Sequence, residues 1–83
     1  MRRVINPPDY KGFTPIKAGK DQQPVIMNFE EYEAIRLCDF HLHGQVEASI
    51  EMGVSRPTFA RIYESARRKV ALAFTEGRPI IFE

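Results

Sequence analysis

The sequence predicts a mostly α-helical domain, a three-helix helix-turn-helix unit with short terminal β-strands. Three observations lead there. Gln45 to Phe74 reads as a short helix, a tight turn and a long amphipathic helix. Asn28 with Glu31 three residues later has the form of a capping box at the start of another helix. Arg78 to Phe82, RPIIF, reads as a short strand set off by Gly77. On this reading residues 1–27 form an arm and loop packed on the core. Residues 28–83 form the helix-turn-helix domain with its C-terminal strand.

Met1 to Ile5 suits a short strand, stopped by Asn6-Pro7-Pro8 because a double proline forbids helix. Asp9 to Pro24 is loop-like, rich in glycine, proline and polar residues. Tyr10, Phe13 and Ile16 are expected to pin that loop to the helical core, with Lys11, Lys17 and Lys20 solvated. Val25-Ile26-Met27 forms an apolar entry to a helix over Phe29 to Phe40. Glu30, Glu31 and Glu33 suit the positive N-terminus of that helix, and Glu33 and Arg36 can pair at its surface.

Asp39 to Gly44 connects this helix to the motif, with Leu42 expected to plug the core. His41 and His43 lie two apart without a third ligand nearby, which does not make a metal site. Gly44 is a weak N-cap for the short helix, whose Ala48 and Met52 join Val54 of the turn in the core. Ser49 is small, as a helix crossing requires. Gly53 supplies the left-handed residue past the helix end, Ser55 the N-cap of the next helix, and Pro57 its first turn.

The long helix has the clearest periodicity. At about 100° per residue, Phe59, Ile62, Tyr63, Ala66, Val70, Ala73 and Phe74 form one stripe roughly 120° wide. Pro57, Arg61, Glu64 and Arg68 lie opposite, with Thr58 and Ser65 on the flank. The lone strand at Arg78–Phe82 needs a partner, for which the N-terminal RRVI, the VIM segment and a second subunit all qualify.

Composition sets the outer limits. Eighty-three residues make one small domain, 43% hydrophobic and 28% charged, with a net charge of +1 that does not by itself indicate nucleic acid. Cys38 is the only cysteine, so no internal disulfide forms, and it reads as a small buried hydrophobe. There is no membrane-length apolar run or signal peptide, and the expected location is the cytoplasm. There is also no phosphate loop, nucleophile–base pair or metal-spaced cluster, so neither an enzyme nor a cofactor is expected.

The chain resembles the domain of unknown function 134 family over nearly its whole length. Three segments carry the resemblance: Arg2-Arg3-Val4 with Pro8 and then FTPIKAG; Tyr32 to Leu37 with Asp39; and Met52-Gly53-Val54-Ser55-Arg56-Pro57-Thr58-Phe59, continuing from Arg61 to Ala71. The last is the longest and most specific. The resemblance implies a DNA-binding domain with a helix-turn-helix similar to the promoter-reading fourth region of sigma factors. Relatives often carry cysteines beside the N-terminal arginines; this chain has none, so no metal role is carried over. It also has Gly44 where relatives have Ser or Tyr, and Ser49 where they have a second alanine.

The functional expectation is therefore sequence-specific binding of double-stranded DNA in transcriptional regulation. Arg56 and Arg61 suit base edges, because arginine can donate two bonds to guanine. Ser55, Thr58, Arg68 and Lys69 suit phosphates. Arg67 lies nearer the core edge. Arg2 and Arg3 suit an arm reaching an adjacent minor groove. A homodimer is expected from the small core and the unpartnered strand. The alternative is a helical protein-interaction adaptor, for example on RNA polymerase.

Overall fold

The computed structural model describes residues 7–83, so the expected strand at Met1–Ile5 and the arm arginines Arg2 and Arg3 lie outside the described residues. The chain runs β1 (Gly12–Phe13), β2 (Val25–Met27), α1 (Phe29–Ile35), a π-helical segment (Arg36–Phe40), α2 (Gln45–Met52), α3 (Arg56–Glu76) and β3 (Ile80–Phe82). It is mostly α, as expected, with a small sheet.

The capping box at α1 forms on both sides. Glu31 N donates to Asn28 Oδ1 at 2.8 Å, and Asn28 N donates to Glu31 Oε1 at 2.9 Å. The expected helix over residues 29–40 is present, but its second half widens into a π-turn, closed by His41 N on the Arg36 carbonyl at 2.9 Å. Leu37 is buried within it. The Glu33–Arg36 pair forms at 2.7 Å, yet it is not a surface pair: the Glu33 side chain is only 2% exposed. Leu42 does not plug the core. It is 80% exposed and takes φ of 62°, because the connection needs a left-handed residue there and turns the side chain outward.

One core cluster gathers Ala34, Leu37, Ala48, Met52 and Phe59, with Cys38, Val54, Ile62 and Tyr63 packed around them. Gly53 has the left-handed conformation (φ 68°), and Val54 N bonds back to the Ser49 carbonyl at 3.0 Å. Ser49 is buried where the helices meet and donates to the Val46 carbonyl. A second cluster, Val25, Met27, Ala73 and Ile80 with Tyr32, Ile35, Val70 and Phe82, joins the sheet to the far half of α3. Phe74 departs from the expected stripe. It is 77% exposed, because it lies at the stripe's edge, beyond what α1 and the sheet cover.

The sheet order is β1-β3-β2. β3 pairs parallel with β2 (Val25↔Ile80) and antiparallel with β1 (Gly12↔Ile81). Of the three partners open to the C-terminal strand, the VIM segment is realised, and Gly12–Phe13 closes the other side. Both edges of β3 are therefore filled within the chain, and it needs no second subunit. Pro79 sits just before the strand, and its carbonyl accepts from Val25 N at 2.7 Å.

Tyr10 and Ile16 are exposed and do not pin the long loop, whereas Phe13, though largely exposed, packs edge-on against Phe82 with ring centroids 6.1 Å apart. Backbone contacts hold the loop as well. Phe82 N donates to the Lys11 carbonyl, and Gly19 N donates to the Gly77 carbonyl at 3.0 Å. Gly77, left-handed at φ 63°, ends α3, and Gly19 lies so close that a Cβ there would stand 2.0 Å from the Glu76 carbonyl oxygen.

Candidate nucleic-acid interface

The site starts from the start of α3. Ser55 caps the helix: its hydroxyl accepts from Thr58 N at 3.2 Å and donates to Thr58 Oγ1 at 2.9 Å. Pro57 occupies the first turn without disturbing the backbone bonds. Phe59 is fully buried and stacks on Tyr63, with ring centroids 5.8 Å apart. With one face fixed this way, Pro57, Ala60, Arg61, Glu64 and Arg68 are all exposed on the other.

The cations divide into two groups. Arg36 is bound by Glu33 and its guanidinium lies 2.8 Å from His41 Nε2. Arg78 bonds Glu76 and the Gln23 carbonyl. Arg67 covers the Tyr63 ring at 5.3 Å, at the core edge as the wheel predicted. Arg56, Arg61 and Arg68 make no ion pair or hydrogen bond with another described residue. These three are the unengaged cations of the described helices.

Lys69, expected at a phosphate, also has a partner within the chain. Its ammonium lies 2.8 Å from Glu31 Oε1, and Ser65 Oγ donates to Glu31 Oε2. Burial pushes the Glu31 carboxyl up, but Lys69, Ser65 and the Asn28 N–H outweigh burial and hold it below its ordinary value. Lys69 therefore ties α3 to α1. On the wheel it lies about 80° from Phe59, closer to the core than Arg68. Ser55 likewise serves the cap.

Around Asp39 the groups are structural. Tyr63 Oη donates to Asp39 Oδ1 at 2.7 Å; burial, this bond and the carboxylate charge raise the phenol's pKa. Burial and then Asp39 push the Cys38 thiol up, which favours its protonated form. Among the described residues no group of three ligands could hold a metal ion.

A cleft of about 550 Å³ between the starts of α2 and α3 is lined by Gln45, Val46, Arg56, Pro57 and Ala60. Val46 and Ala60 escaped the sequence reading. The available signal was Val46 lying about 160° from Ala48 on the wheel of the short helix, an apolar residue on its outer face. Elsewhere an apolar groove of about 380 Å³ is bordered by Phe13, Tyr32, Phe74 and Phe82.

The family described as "Protein of unknown function DUF134" matches residues 1–83. The chain belongs to this family. Similar proteins include a UPF0251 protein of Methanothermobacter thermautotrophicus, 44% identical over all of this chain and 43% of the relative. UPF0251 protein PH0803 of Pyrococcus horikoshii is 43% identical over 98% of this chain and 76% of its own length. A UPF0251 protein of Chloroherpeton thalassium is 40% identical over all of this chain and 56% of the relative. The chain thus spans about half the length of the first and third of these relatives. No solved structure matches it. Among the described residues, no helix is long and apolar enough to cross a membrane.

Proposed function

We propose that this DUF134 protein binds double-stranded DNA sequence-specifically, with the first half of α3 in the major groove, as a transcriptional regulator. The observation that carries this reading is the sorting of cations: Arg36, Arg67, Lys69 and Arg78 have partners within the described residues. Arg56, Arg61 and Arg68 do not, and they lie on α3, whose back is held in both core clusters. Arg56 and Arg61 would donate to base edges, and Arg68 to a phosphate. Glu64 on the same face would repel misplaced phosphates and accept from a cytosine amine. Lys69 and Ser55 drop to supporting roles, and Arg2 and Arg3 stay as a candidate minor-groove arm.

A homodimer remains part of the proposal, resting on the small core alone, with half-sites about 34 Å apart. No catalytic role, metal or cofactor is proposed. The second reading, an adaptor such as one on RNA polymerase, draws on the apolar groove beside Phe13 and Phe74, on the sheet half of the molecule. Salt titration against a duplex selected from random DNA separates the two. DNA binding gives a steep loss of affinity with salt, from counterion release, and an adaptor shows no duplex binding.

A further inference from the structure

We propose that the cleft between the starts of α2 and α3 receives the C5-methyl group of a thymine, so that the protein requires a thymine next to the base read by Arg61. This rests on the DNA-binding reading above. The cleft joins three side chains with no polar atom, Val46 from α2 and Pro57 and Ala60 from α3. All three are exposed, so the two helices leave apolar surface open where water would otherwise sit. Ala60 is short and lets a base edge approach the helix backbone. Pro57, near the start of α3, has no amide hydrogen to offer, so the wall it forms with Val46 and Ala60 reads shape and apolarity, while Gln45 and Arg56 are the polar part of the lining.

The lining holds one cation. Arg56 lines the cleft, and Arg61 is the next residue after Ala60, about 100° around the helix. An apolar wall with Arg56 in its lining and Arg61 on the adjoining face of α3 suits a polyanion that carries an apolar bump. In the major groove the thymine methyl is that bump, and apolar side chains are its usual contact. The cleft, about 550 Å³, is wide enough to admit a base edge with its methyl against Val46, Pro57 and Ala60, whereas an acidic peptide would engage the arginine alone.

The test uses the full chain and a duplex recovered from random DNA, in which each thymine is replaced in turn by deoxyuridine, which lacks only the methyl. At one position in the half-site the affinity should fall about fourfold, the effect of one buried methyl-sized group. Val46→Ala trims the socket at an exposed helical position and replaces a β-branched residue by the best helix former, so its thermal unfolding should be no lower than that of the unaltered protein. It should reduce the thymine–deoxyuridine difference to less than twofold. If the selected duplex is bound specifically but no deoxyuridine weakens it, the methyl socket is refuted and DNA binding stands. An undiminished difference in Val46→Ala assigns the methyl to another surface and overturns the proposal. If no duplex is preferred over random DNA, the socket falls together with the DNA-binding reading.

Discussion

Lys69 Nζ lies 2.8 Å from Glu31 Oε1, the same oxygen that accepts from Asn28 N in the capping box of α1. One carboxylate therefore caps one helix and fastens it to another. Its side chain is 6% exposed and that of Lys69 33%.

Removing the lysine leaves Glu31 with a buried charge and one bond fewer. Lys69→Ala should lower stability by about 1–3 kcal/mol, read as a shift of the urea midpoint at constant m-value. Its DNA affinity, corrected for the folded fraction, should be close to that of the unaltered protein. A lysine bound to phosphate would give the reverse pattern, with stability kept and affinity lost.

The same carboxylate sets a pH dependence. Its folded pKa is lowered from the ordinary 4.5, so below that value the unfolded state binds more protons and stability rises with pH. The contribution is present above pH 4.5 and is lost as pH falls through the folded value. Between pH 7 and pH 3 the unaltered protein should lose more stability than Glu31→Gln, followed by thermal unfolding. Parallel curves for the two proteins would mean that Glu31 is not responsible for the acid limb.

Leu42 offers a gain of stability. An exposed leucine at φ 62° bears the cost of the left-handed region, which glycine avoids. Leu42→Gly should raise stability by about 0.5–1 kcal/mol, measured by chemical unfolding. A loss of that size would show that the side chain does pack in solution.

Much of this architecture was legible in the chain. Asn28 and Glu31, Gly53, Ser55 and Gly77 each act through local backbone chemistry, which a sequence displays, and each took the expected role. Contacts between distant segments were harder to read. Nothing in Gly12-Phe13 signals a strand, because two residues lack a period, and its pairing depends on where Ile80–Phe82 arrives. The Lys69–Glu31 bond joins residues 38 apart in sequence, so the wheel could show only that Lys69 lies off the outer face. Phe74 satisfied the helical stripe but has no covering element, since a wheel gives direction and not what lies there. At the candidate site, Arg61 and Arg68 stand where the wheel put them. The apolar cleft beside them needed the relative placement of two helices.

The measurement that tests the central claim most directly is the affinity of Arg61→Ala and Arg68→Ala for a selected duplex and for random duplex over a range of salt. Arg61 lies about 200° from Phe59 on the helix and has no partner among the described residues, so stability should change by less than about 0.5 kcal/mol. Arg61→Ala should cost about 1–3 kcal/mol on the selected duplex alone and relax preference at one base position. Arg68→Ala should weaken both duplexes alike and reduce the salt slope by about one. Equal losses for Arg61→Ala on both duplexes would contradict base reading, and unchanged binding in both variants would contradict α3 as the DNA-binding surface.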